Sequence, residues 1–210
     1  MHLLALIILL TCLSMNAIPQ TVNLAAKPAI DSTAVYNWPS ISNLFVLSND
    51  GEYFMYGIDN QPTKLSTLIL KSVKGSWEKK VILKDRYSGG FFSRDNKIAV
   101  FKDGDTLRIM TLGSTTKEHA IAVRYYKQPT AGKGEWLAYE PKTRPNTLIL
   151  KNLIKGNELH FDSIANCAFG NTGSLLLLQK QTVKGSSLEW VNLSTGSRTI
   201  IWTSPDDKIA

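Results

Sequence analysis

Ser93-Arg94-Asp95-Asn96-Lys97-Ile98-Ala99-Val100-Phe101 leads through Asp103-Gly104-Asp105 into Thr106-Leu107-Arg108-Ile109-Met110-Thr111-Leu112. Ser, Asp and Asn side chains bond nearby backbone amides, so the first four residues read as a tight turn. The apolar runs behind it are short, alternate with a period of two and read as strands. A short Gly-containing connection between two such runs is a hairpin signal. It accounts for Asp103-Gly104-Asp105 better than half of a calcium loop would.

Both halves of this unit recur. The leucine-bearing half returns as Ser66-Thr67-Leu68-Ile69-Leu70-Lys71, Asn146-Thr147-Leu148-Ile149-Leu150-Lys151 and Ser187-Leu188-Glu189-Trp190-Val191. Leu68, Leu107, Leu148 and Leu188 are spaced by 39, 41 and 40 residues. The turn-and-strand half matches Ser48-Asn49-Asp50-Gly51-Glu52-Tyr53-Phe54 and, in degenerate form, Gly132-Lys133-Gly134-Glu135-Trp136-Leu137 and Gly170-Asn171-Thr172-Gly173-Ser174-Leu175. Two elements holding one phase at a period near 40, with strands throughout, predict propeller blades. Helical repeats of that length are excluded by the short runs and by the Gly, Pro, Asn and Asp clusters between them.

The fold expected is therefore all-β: a β-propeller of about four blades, each of four antiparallel strands. The first blade's strands are placed near 43–47, 52–58, 66–73 and 78–83, and the repeats near 43–83, 91–123, 131–161 and 167–203, inside a propeller region 35–210. Ser204-Pro205-Asp206-Asp207-Lys208-Ile209-Ala210 matches Ser93–Ala99 and opens a further repeat, so an incomplete, truncated array is expected. A closed four-bladed disc is the competing arrangement.

Residues 1–17 read as a signal peptide, because Leu3–Leu13 is apolar and uncharged and a small residue, Ala17, closes the region. Residues 18–34 then form a linker. Leu9-Leu10-Thr11-Cys12 also resembles a lipobox, which would anchor the protein through a lipid at Cys12. Either route exports the chain to the periplasm or outside the cell, and no later run approaches the length of a membrane helix.

Beyond the leader Cys167 is the one cysteine, set in apolar Ile164–Phe169, and it reads as a buried structural thiol. The 24 Lys and Arg against 17 Asp and Glu are scattered, the densest spot being Lys79, Lys80, Lys84 and Arg86, and no nucleic-acid motif accompanies them. No nucleic-acid partner is expected. Asn192-Leu193-Ser194 is a formal glycosylation sequon.

Chemistry is sparse. There is no Gly-x-Ser-x-Gly elbow. His119 and His160 have no second histidine at metal-ligand spacing and read as ordinary strand or turn residues. Asp50 and Asp95 read as turn formers. Gly132-Lys133-Gly134 lacks the upstream glycine of a phosphate loop. Trp136 and Trp190 read as blade core, and Trp38 and Trp77 as core or blade-edge packing. No catalytic, cofactor or metal residue is assigned.

Trp38-Pro39-Ser40-Ile41, Leu47–Tyr53, Phe92–Lys102 and Gly134–Glu140 before Asn146–Leu150 together resemble the N-terminal propeller of exported bacterial serine peptidases of the prolyl oligopeptidase family. The resemblance covers most of 35–210. It implies that the propeller gates and helps bind peptide substrates for an α/β-hydrolase domain carrying a Ser-Asp-His triad. No residue here matches the triad motifs, so the expected role is non-catalytic. The Ser-x-Asp-Gly opening is shared with TolB-like propellers, which makes a non-enzymatic periplasmic module with a protein partner the alternative. A free-standing lectin-like or scaffold propeller is a third possibility.

Overall fold

The computed structural model describes residues 31–113, 118–130 and 135–204. The expected leader with Cys12, the Gly132-Lys133-Gly134 run and Pro205–Ala210 lie outside them. The chain divides into two compact units, Met1–Tyr36 and Asn37–Ala210. In the first, a short helix α1 (Ser32–Tyr36) is capped by Asp31, whose Oδ1 accepts the Ala34 amide at 2.9 Å.

The second unit is built of antiparallel strands. The first blade is β1 (Ser40–Leu47), β2 (Tyr53–Asp59), β3 (Ser66–Ser72) and β4 (Glu78–Leu83), hydrogen-bonded in that order. The last is β12 (Ile164–Phe169), β13 (Leu175–Thr182), β14 (Gly185–Asn192) and β15 (Arg198–Ser204), also in order. Between them lies a single seven-stranded sheet of β5 (Gly90–Phe92), β6 (Ile98–Asp103), β7 (Thr106–Thr111), β8 (Glu118–Lys127), β9 (Trp136–Pro141), β10 (Leu148–Asn152) and β11 (Glu158–Phe161). This is the all-β propeller architecture the repeat predicts, with one departure.

The departure is β8. Its first half pairs with β7, matching Ile109 with His119 and Thr106 with Ala122. Its second half pairs with β9, matching Tyr126 with Tyr139 and Lys127 with Ala138, after a register shift between Val123 and Tyr125. One strand is thus the outer strand of the second blade and the inner strand of the third. The cause is local. Glu118–Lys127 holds no Gly or Pro to break it, and Ile121, Val123, Tyr125 and Tyr126 favour extended backbone. The other blade junctions are interrupted, by Lys84–Gly89 and by Asp162-Ser163, where Ser163 has a φ of 61°.

The turns that open each second strand are stapled as their residue types predict. Ser93 Oγ donates to Asp95 Oδ1 at 2.6 Å and accepts the Ile98 amide at 2.9 Å. Ser48 repeats this with Asp50 at 2.6 Å and the Tyr53 amide at 2.9 Å. In the degenerate copy Gly170 has no hydroxyl to offer, yet its amide still reaches Leu175 O at 2.8 Å. Gly57 serves packing, since a Cβ there would stand 2.7 Å from Tyr87 Cβ.

The core lies between blades. Met55, Leu68, Leu70, Val81 and Leu83 of the first blade meet Phe92, Ala99, Phe101 and Met110 of the second. Phe91, Val100, Leu107, Ile109 and Val123 meet Leu137, Tyr139, Ile149 and Leu153 of the third. Trp136, Ala138, Leu148, Leu150 and Phe161 meet Cys167, Leu176, Leu178 and Val191 of the fourth. Each blade therefore has a rear face toward its predecessor and a forward face toward its successor. The rear face of the first blade and the forward face of the last have no such neighbour among the described residues.

Candidate functional site

The residues weighed for chemistry are dispersed. His119 is exposed on β8, and His160 is exposed on β11 with Nε2 3.5 Å from Glu158 Oε2. Cys167 is buried in the core between the third and fourth blades. Burial pushes its thiol up, and the nearby Lys127 ammonium offsets only part of that. Lys127 Nζ is occupied by Asn166 Oδ1 at 2.9 Å and Cys167 O at 2.5 Å.

Asp103-Gly104-Asp105 is a hairpin turn with Gly104 at φ 62°. Its carboxylates are already committed. Buried Asp103 accepts the Lys84 amide at 2.5 Å on Oδ1 and Arg108 Nη2 at 2.7 Å on Oδ2. That ties the first blade junction to the second blade. Asp105 accepts Lys142 Nζ at 2.7 Å, a bond that holds its carboxyl below the usual range. Among the described residues no group of three His, Cys, Asp or Glu is placed to hold a metal ion. Asn192 folds onto its own turn, Oδ1 accepting the Ser194 amide at 2.9 Å.

The tryptophans divide. Trp136 is buried as core. Trp77 is partly buried, edge-on to Tyr53 with ring centroids 5.7 Å apart. Trp38 is exposed. Trp190 departs from the core role its strand suggests and is 44% exposed. It projects from the forward face of the last blade, and its burial needs a neighbour that its own strand does not supply.

One concavity joins several blades. A groove of about 340 Å³ lies where the second, third and fourth blades present their turn ends. Trp136 and Leu193, both buried, line its base. Arg94, from the turn after β5, reaches Glu135 Oε2 at 3.4 Å across one side. The β10–β11 hairpin supplies Lys155, and the β12–β13 turn supplies Thr172 and Ser174, whose hydroxyls are 2.6 Å apart. Ser194 comes from the β14–β15 hairpin. An ammonium, a guanidinium paired with a carboxylate and three hydroxyls suit a polar ligand with carbonyl or carboxylate groups. Sequence reading misses this set because its members come from five turns that only blade stacking brings together.

No family model matches the chain, and no curated protein matches it in sequence. Solved structures match its fold. A prolyl endopeptidase aligns over 80% of this chain at 14% identity with a TM-score of 0.50, covering 30% of that protein. Hsv2 of Kluyveromyces lactis aligns over 79% at 14% identity with a TM-score of 0.42, covering 63% of that protein. TolB of Acinetobacter baumannii aligns over 72% at 12% identity with a TM-score of 0.40, covering 41% of that protein. The chain spans less than two thirds of the length of each. With the blade order above, the prolyl endopeptidase match defines a β-propeller protein.

Proposed function

We propose that the chain is the non-catalytic propeller part of an exported serine peptidase of prolyl oligopeptidase type. It admits peptides and helps bind them, while an α/β-hydrolase domain outside residues 1–210 performs the acyl transfer. The observation that carries the reading is the resemblance of Trp38–Ile41, Leu47–Tyr53, Phe92–Lys102 and Gly134–Glu140 before Asn146–Leu150 to the propeller of that family. The propeller shared with a prolyl endopeptidase supports it. The groove supports it as well. Lys155 Nζ and the hydroxyls of Thr172, Ser174 and Ser194 are donors of the kind that peptide carbonyls and a terminal carboxylate accept.

A fluorescently labelled proline-containing peptide tests this by anisotropy. Saturable binding to the purified chain is expected, weakened severalfold in Lys155→Ala, with no turnover of chromogenic prolyl substrates. Absence of binding overturns the peptide-binding role. Turnover that a serine-directed inhibitor abolishes overturns the non-catalytic one.

A further inference from the structure

The groove at the turn ends of the second, third and fourth blades holds two cations in different states. Arg94 Nη1 is 3.4 Å from Glu135 Oε2. Lys155 has no carboxylate in ion-pair reach among the described residues, whereas Lys151 of the same hairpin is paired with Glu158 at 2.7 Å. The backbone under Lys155 is fixed. Asn152, 1% exposed, accepts the amides of Ile154 at 3.0 Å and Lys155 at 2.8 Å on Oδ1. Gly156 closes the turn at φ 77°, with its amide 2.8 Å from Asn152 O. The fourth blade repeats the device. Asn192 Oδ1 accepts the amides of Ser194 at 2.9 Å and Thr195 at 3.2 Å, and Gly196 closes that turn at φ 75°. Each hairpin is also tied to the neighbouring turn of its blade, the Leu153 amide reaching Glu135 O at 2.8 Å and the Leu193 amide Ser174 O at 2.9 Å. Two like-built hairpins thus set Lys155 and Ser194 on the groove with little backbone freedom left to lose on binding.

Thr172 Oγ1 and Ser174 Oγ are 2.6 Å apart, so one hydroxyl donates to the other and the acceptor keeps its own proton to give. Accepting that bond makes the remaining proton a stronger donor. Ser194 adds a third hydroxyl, and the Lys155 ammonium adds its N–H donors. An unpaired ammonium beside hydroxyl donors is the complement of a carboxylate, which only accepts. A neutral peptide carbonyl would leave the ammonium without a counter-charge. The volume of about 340 Å³ lies at the small end for ligand pockets, so the groove holds a short stretch of peptide. We propose that Lys155, with the hydroxyls of Thr172, Ser174 and Ser194, seats a carboxylate of the peptide, supplied by a free C-terminus or by an acidic side chain. This rests on the peptide-binding reading above and narrows it. Glu135 works against such a ligand. Its carboxylate lines the same groove, repels an incoming anion and keeps Arg94 engaged. That pair is long and the Arg94 side chain is 67% exposed, so it is weak, and removing the Glu135 carboxylate releases the guanidinium to the ligand.

Peptides of one proline-containing sequence, labelled at the amino end, test this by anisotropy with the full chain. One ends in a free carboxylate, one in a carboxamide, and one in a carboxamide with glutamate as its last residue. The free acid, the glutamate peptide or both are expected to bind about fivefold tighter than the neutral carboxamide. Which of them does so identifies the source of the carboxylate. Added salt is expected to narrow the gap. Lys155→Met is expected to remove it and Lys155→Arg to keep most of it. Glu135→Gln is expected to tighten the acidic peptides and leave the neutral one unchanged, a gain that a damaged fold does not give. Equal binding of all the peptides overturns the carboxylate inference and leaves peptide binding standing. An affinity ratio that Lys155→Met leaves unchanged overturns the part given to Lys155. Absence of any binding overturns both this inference and the peptide-binding reading. The comparison of peptides on the wild-type chain supports or overturns the preference even where a variant fails to fold.

Discussion

Leu68, Leu107, Leu148 and Leu188 hold the same place in four successive third strands, yet the first three are fully buried and the fourth is not. The period makes the four positions legible in the sequence. It cannot tell which of them is covered, because a forward-facing leucine is buried by the next blade and not by its own. Trp190 fails as a core residue for the same reason. Truncation costs should follow the neighbour. Leu107→Ala is expected to cost about 2–5 kcal/mol, as for a filled core position that partly collapses. Leu188→Ala is expected to cost under about 1 kcal/mol. Urea unfolding of both variants checks this, and equal losses would contradict the assignment of forward faces.

At the scale of elements, turn chemistry is readable wherever a side chain acts locally. Ser93 with Asp95, and Ser48 with Asp50, bond as those residue types must. Strand continuity is not readable. An outer strand followed by an inner strand looks the same in sequence whether or not the chain breaks between them, so repeat boundaries drawn from the period cut through β8. The groove is equally hidden, since Arg94, Lys155 and Thr172 are far apart along the chain. Hairpins also carry a pH dependence. In β10–β11 the Glu158 carboxyl is held below its usual range, first by the hydrogen bond from Lys151 Nζ at 2.7 Å and then, after some loss to burial, by the charges of Lys151 and His160. A depressed folded-state pKa adds stability that is fully present above the ordinary glutamate range. It is lost as pH falls through the depressed value. Glu158→Gln is therefore expected to lower stability at neutral pH, by no more than about 1 kcal/mol for so accessible a pair. The gap to wild type should close in acid, as pH falls through the depressed value. Melting temperatures at neutral and acid pH check the sign, and a gap that widened in acid would refute it.

As a whole molecule the blades form a row in which each packs on its neighbours, and stability in such arrays is largely a sum of nearest-neighbour terms. Among the described residues interior blades have two neighbours and the end blades one. Hydrogen exchange is expected to be slowest in β6, β7, β9 and β10, and faster in β1 and β15. Exchange of every blade at one common rate would show instead a single cooperative unit. The seven-stranded sheet gives the row an uneven stiffness. Where β8 runs through, the second and third blades are joined by a backbone under ladder hydrogen bonds on both halves of its length. The seams at Lys84–Gly89 and Asp162-Ser163 have no such through-strand. Under a load that opens or tightens the array, the middle pair moves as one plate and the bending concentrates at those two seams. The polar groove spans one of them, since Glu135, Trp136 and Lys155 belong to the plate while Thr172, Ser174 and Ser194 belong to the blade beyond the second seam. Its width is therefore the dimension of the molecule that flexing changes most directly.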